Sequence, residues 1–171
     1  MDDFYTTRNR RTLTQAEGYL ELHMPRHALE ALARLRHTGV QDPHAFYLRG
    51  EALRSLEHYE EAIEPLIRAG EVVPENMHVW LALGWCYKRT GKIFLAIDAL
   101  ERALFAEPDD ALVVFNLACY WCLAGAKRQS LTSLSRALEL DESYRDLIDA
   151  EADFDSLRDD PDFRSLISVV V

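Results

Sequence analysis

Long apolar runs, clustered basic residues and paired cysteines are all scarce in this chain, and each shortage closes a class of function. No window approaches the roughly 18 consecutive apolar residues of a membrane span. The opening Met1-Asp2-Asp3-Phe4-Tyr5-Thr6-Thr7-Arg8 lacks the apolar core of a secretory signal. These two features predict a cytoplasmic protein without a membrane partner. Lys and Arg number 19 against 29 Asp and Glu, a formal charge of −10, which argues against nucleic acid because phosphate binding needs clustered base. Three cysteines, an odd number, do not make a disulfide framework. Seven glycines and six prolines form no run that would mark a linker. No two of the glycines make a phosphate-cradling GxGxxG or GxxxxGK.

What is present is enough apolar material for a core, 49% of 171 residues, and an uneven charge. From Glu139 to the end there are eleven acidic residues against three arginines, a net of −8, so residues 1–138 carry about −2. The acidity belongs to the tail.

The clearest internal pattern is Trp80-x-x-Leu83-Gly84-x-x-Tyr87, then Ala96-x-x-x-Leu100-x-x-Ala103, then Pro108. Small residues (Gly84, Ala96) let two antiparallel helices approach, the large ones fill between them, and Pro108 stops the second. One step of 34 residues back gives Phe46, Gly50, Leu53, Ala62, Leu66, Ala69 and Pro74. A step forward gives Val114, Leu117, Ala118, Trp121, Gly125, Ser130, Leu134 and Ala137. A further step back reaches Ala16, Tyr19, Ala28, Leu32 and Leu35, without the first aromatic. Small and large positions recurring in phase four times define a repeat array.

These residues resemble the tetratricopeptide repeat family over roughly residues 9–144. The resemblance implies an all-α fold, an α-solenoid of about four helix-turn-helix repeats whose first helices line a concave groove. The repeats are 9–42 (degenerate), 43–76, 77–110 and 111–144, so residues 1–144 form the array. The expected helices are 10–22, 26–37, 43–56, 60–71, 77–89, 93–105, 111–123 and 127–139. Pro65 falls inside the fourth, where it should remove a hydrogen bond and bend the helix or mark a break.

Residues 145–171 form an acidic segment. Leu147 and Ile148 are expected to face inward on one helix, and Asp160-Pro161 to start another with Phe163, Leu166 and Ile167 on one face. Phe154, Leu157, Pro161 and Phe163 look like the closing segment after the last repeat of many bacterial tetratricopeptide proteins, which predicts a C-terminal cap. The rivals are an acidic docking tail and a structural or regulatory spacer whose acidic tail lies over its own basic groove.

Catalytic chemistry is weakly represented. Cys119-Tyr120-Trp121-Cys122 has the spacing of a redox pair, but it falls mid-helix, far from the helix N-terminus that would lower a thiol pKa. Cys86 could join as a metal ligand, yet no second CxxC or HxxxH completes a zinc set. Asp153-Phe154-Asp155-Ser156-Leu157 is similar in outline to a calcium loop, whose sixth and twelfth positions are here Arg158 and Arg164 instead of Gly and Glu. No cofactor or metal is therefore expected, and the protein is not expected to be an enzyme. The six histidines read as surface residues.

The resemblance also implies which side chains meet a partner. Along the groove its fifth positions are Leu13, Tyr47, Leu81 and Phe115, and its second positions are Arg10, His44, His78 and Leu112. Arg54, Lys88 and Arg89 add positive charge, with Trp85 and Asn116 beside them. The expected peptide site is Tyr47, Arg54, His78, Leu81 and Trp85 together with Lys88, Arg89, Phe115 and Asn116. Tyr, Trp and Arg on one concave face are the types that dominate binding hot spots. The site implies a protein or peptide partner with apolar and some acidic residues, held by a non-catalytic interaction module acting as scaffold or adaptor. A clamp for a C-terminal carboxylate is excluded, because the two available windows read Leu13, Glu17, Leu48, His78, Ala82 and Tyr47, Glu51, Ala82, Leu112, Asn116. The alternatives are a secretion-type chaperone holding an apolar cargo segment, and, less well supported, an enzyme using Cys119 and Cys122. The sequence leaves the oligomeric state open.

Overall fold

The computed structural model describes residues 2–35 and 41–168, with side chains described from residue 7. The predicted end of the second helix at 37 and the last three residues of the tail lie outside these. Among the described residues there is no β-strand. Eight helices form four antiparallel pairs: α1 (Asp2–Glu21) with α2 (Pro25–Leu32), α3 (Pro43–Ser55) with α4 (Tyr59–Val72), α5 (Met77–Arg89) with α6 (Ile93–Ala106), and α7 (Ala111–Leu123) with α8 (Lys127–Leu140). Each pair packs on the next, α2 on α3, α4 on α5 and α6 on α7. This is an all-α solenoid.

Two boundaries differ from expectation. α1 begins at Asp2 instead of residue 10. α2 stops at Leu32, because the amides of Arg34 and Leu35 bond to Ala31 and Leu32 three residues back and tighten the last turn.

The 34-residue period is visible in the backbone chemistry. Asp42, Asn76 and Asp110 each cap the first helix of the following pair, accepting from His44 N at 2.8 Å, His78 N at 3.1 Å and Val113 N at 2.9 Å. At the other end of those first helices, His23, Glu57, Gly91 and Gly125 adopt positive φ of 56°, 62°, 74° and 73°. The residue after each donates its amide five residues back (Met24 to Tyr19, His58 to Leu53, Lys92 to Tyr87, Ala126 to Trp121), so all four turns close by the same helix-ending motif. Glycine suits this conformation at Gly91 and Gly125; His23 and Glu57 hold it at a steric cost.

The small positions work as expected. A Cβ on Gly50 would stand 2.5 Å from Leu66, so α3 meets α4 there with no room for a methyl group. At the matching contact of the fourth pair the buried Ser130 donates to Ala118 O at 2.9 Å. Trp80 is buried, and its indole N–H donates to Pro74 O at 2.7 Å, tying the third pair to the turn before it. Pro65 is buried within α4, which continues past it to Val72, so the break considered from the sequence does not occur.

After Asp141, whose side chain accepts from Ser143 N at 2.9 Å, the tail turns back in short elements. A 3₁₀ turn (Glu142–Tyr144) leads into α9 (Arg145–Ile148), a second 3₁₀ stretch (Ala152–Leu157) lies against α7, and α10 (Pro161–Ser168) packs on α8. Ile148, Phe154, Leu157 and Phe163 join the same apolar core as α5–α8. Leu147 does not: it is 51% exposed while Ile148 is 1% exposed. Adjacent residues on one helical turn point about 100° apart, so one residue of this pair faces in. The three arginines tie this acidic segment together, Arg164 by donating to Arg158 O at 2.9 Å. Arg158 donates to the carbonyls of Ile148, Asp149 and Glu151, and Arg145 donates to that of Ile167 at 2.7 Å.

Candidate functional site

The first helix of each pair leaves one face unused by its partner helix. On that face α3, α5 and α7 enclose a pocket of about 310 Å³. Its apolar side is Tyr47, Leu81, Trp85 and Leu112, of which Trp85 is 37% and Leu112 44% exposed. Its polar side is Arg54, Glu51, His78 and Asn116. Six of the nine residues expected from the sequence therefore border one pocket, and they come from three successive repeats.

The other three are placed differently. Phe115, expected as an open groove residue, is 5% exposed. Tyr144 and Phe154 cover it, at ring separations of 4.8 and 5.9 Å. Lys88 is ion-paired with Asp153 of the tail, and its ammonium also lies 5.6 Å from the Trp85 ring. Arg89 stacks over Tyr59 at 5.0 Å. The tail occupies the groove over α7, and the open part lies between α3 and α7.

Electrostatics changes accordingly. Arg54 donates twice to Glu51, at 2.8 and 2.9 Å. That hydrogen-bonded pairing raises the Arg54 pKa further. Burial, helped by the Glu51 charge, pushes the Tyr47 hydroxyl up to about 12, so it stays a neutral phenol. The middle of the groove was expected to be apolar and basic. It is apolar, with its cations at Arg54 and Lys88 already matched by carboxylates. The sequence reading missed Glu51 and Asp153 because pairing across three residues and across 65 is a matter of side-chain geometry. The family resemblance implied the groove position of Glu51 but not its role.

Two of the three thiols lie under the same tail, Cys119 beside Glu151 and Asp153 and Cys122 beside Ser156. Cys86, Cys119 and Cys122 are buried and free. Burial pushes the Cys86 thiol up to about 12 and raises Cys119 and Cys122 as well. Cys122 Sγ lies 3.3 Å from Ser156 Oγ. An activated redox pair needs a lowered thiol pKa, the opposite of what these surroundings produce. Ligand atoms of Cys119, Glu151 and Asp153 come within 4.8 Å of one another. The Lys88 ammonium already neutralises Asp153 there and the Cys119 thiol is held protonated, so this donor set favours a lysine over a divalent cation.

Residues 78–110 match the family model described as tetratricopeptide repeat. Among curated proteins, anaphase-promoting complex subunit 3 of Dictyostelium discoideum is 31% identical over 61 residues, which is 36% of this chain and 6% of that protein's length. Among solved structures, a crystal structure of MamA superposes with a TM-score of 0.74 over 81% of each chain at 21% identity. A second MamA structure (AMB-1) gives 0.68 over 76% of each at 24% identity. At these identities the likeness is one of fold. Among the described residues no helix is long and apolar enough to cross a membrane.

Proposed function

We propose that this chain, a tetratricopeptide-repeat solenoid, is a non-catalytic interaction module that holds a segment of a partner protein in the open part of its concave groove. The observation that carries this reading is the pocket between α3, α5 and α7. It presents Trp85 and Leu112 to solvent beside Tyr47 and Leu81, while the neighbouring stretch of the same groove is filled by the chain's own tail. An exposed tryptophan in a concave, largely apolar site framed by rigid helices is a preorganised anchor point, which lowers the ordering cost of binding. The packing of the chain's own tail on the same face over α7 supports this reading.

Peptides selected from a random library on the full-length chain provide the test. Trp85→Ala and Tyr47→Ala should each weaken their binding by about 1–3 kcal/mol, read by fluorescence anisotropy, with thermal unfolding little changed in Trp85→Ala and the helical fold retained in Tyr47→Ala, whose side chain also packs on the core. Undiminished affinity in both variants would move the binding surface away from this pocket.

A secretion-type chaperone that dimerises through its N-terminal region is the second reading. What supports it is the length of α1, 20 residues against 13 in α3, α5 and α7, which leaves helix beyond the reach of α2. A dimer in sedimentation that is lost on deleting residues 1–40 would favour it, and a monomer would end it.

A further inference from the structure

The tail sits on the concave face one repeat beyond the open pocket, and it is a template for what the pocket holds. Three residues receive it: Lys88 pairs with Asp153, Phe115 meets the Phe154 ring edge-on at 5.9 Å, and Cys119 lies beside Asp153. One 34-residue step towards the N-terminus turns this trio into Arg54, Leu81 and Trp85. All three border the open pocket.

In charge, the equivalence fails at one place. One turn before Lys88 on the same helix stands Trp85, which carries no charge, and Lys88 takes its carboxylate from the tail. One turn before Arg54 the corresponding residue is Glu51, whose two oxygens accept from Arg54 at 2.8 and 2.9 Å. The cation of the open pocket is therefore supplied with a carboxylate by its own helix. A second carboxylate brought by a ligand would meet Glu51 in a partly buried site, where like charges repel strongly. The apolar wall of Leu81, Trp85 and Leu112 has no such counterpart and stays open.

Building on the groove reading above, we infer that the pocket binds a protein segment carrying an aromatic side chain flanked by uncharged residues. The ring takes the place that Phe154 occupies one repeat later, and no acidic residue stands beside it. This replaces the partly acidic partner expected from the sequence.

Three synthetic peptides test the inference against the full-length chain by calorimetry at physiological salt. The first copies residues 150–160. The second carries Glu151→Gln, Asp153→Asn and Asp155→Asn. The third adds Phe154→Ala to the second. The second should bind about tenfold more tightly than the first, and the third should lose that affinity by a similar factor. Glu51→Gln in the protein should erase the preference between the first two, while Glu71→Gln, an exposed change of equal charge on α4, should leave it in place. Glu51→Met with Arg54→Met removes the pair as a unit and carries the same expectation should Glu51→Gln fail to fold. Equal or tighter binding of the acidic peptide, a preference that survives loss of Glu51, or no binding by either peptide would overturn the inference. An acidic preference that Trp85→Ala abolishes leaves the groove reading standing. Binding that Trp85→Ala does not weaken overturns both.

Discussion

Replacing Phe154 by alanine separates a cap from a docking tail. The ring is fully buried, 5.9 Å from Phe115 and 5.6 Å from Phe163, in one apolar core with α5–α8. Removing a phenyl group from such a site costs the transfer free energy of the ring plus the cavity it leaves, about 3–5 kcal/mol. For a chain of this length that lowers Tm by about 6–20 °C. The loss should also be local, because Phe154 holds the 3₁₀ stretch that covers α7. Thiol labelling at pH 8 reads this directly. In the intact protein burial keeps all three cysteines protonated, so they should react slowly until denaturant is added. In Phe154→Ala, Cys119 should react at least about tenfold faster, while Cys86, packed between earlier repeats, should change little. A stability loss under about 1 kcal/mol, with Cys119 in the unaltered protein labelled as fast as in urea, would refute the reasoning. It would make the segment a loosely held tail.

Two further expectations concern turns and charge. Glu57 adopts a φ of 62° where the equivalent residues of the next two repeats are glycines, so Glu57→Gly should stabilise the protein by up to about 1 kcal/mol, measured by urea unfolding; a loss of that size would show that the turn tolerates Glu without strain. Asp160 sits at the start of α10, where its hydrogen bond with Lys127 first, then those from the Phe163 and Asp162 amides, hold its carboxyl below the ordinary 3.8. A lowered folded-state value means that this stabilisation is present above the ordinary value and fades as pH falls through the folded one. Thermal unfolding of Asp160→Asn should therefore lie below that of the unaltered protein at neutral pH and converge with it under acid conditions. A gap that stays constant from neutral to acid pH would contradict this assignment.

Much of the fold was legible because each repeat solves the same packing problem with the same residue sizes. Trp80, Gly84, Ala96 and Leu100 recur in phase with their counterparts, and each lands in the core. Turn chemistry was only half legible: Gly91 and Gly125 mark left-handed residues by type, whereas His23 and Glu57 adopt the same conformation with no glycine to signal it. In the tail the periodic signal ends, and inward and outward residues could not be told apart, as Leu147 shows. For the site, the family resemblance implied that Tyr47, Arg54, Leu81 and Trp85 share one face, and all four border the pocket. It could not reveal which cations were already paired, since Glu51 and Asp153 act through side-chain geometry.

The sequence by itself determined the helices and their pairing, since these follow from local propensity and a residue-size pattern repeated every 34 positions; the face turned towards the groove was implied by the family resemblance. Only the tertiary structure decided how much of that face remains open. The tail's return over α7 covers Phe115, Cys119 and Cys122, engages Lys88 and leaves the pocket at Trp85 uncovered. The physical reason is range. A repeat unit specifies contacts with itself and its neighbours, whereas the fit of residues 151–157 onto α7 depends on shape and charge assembled from four separate stretches of the chain.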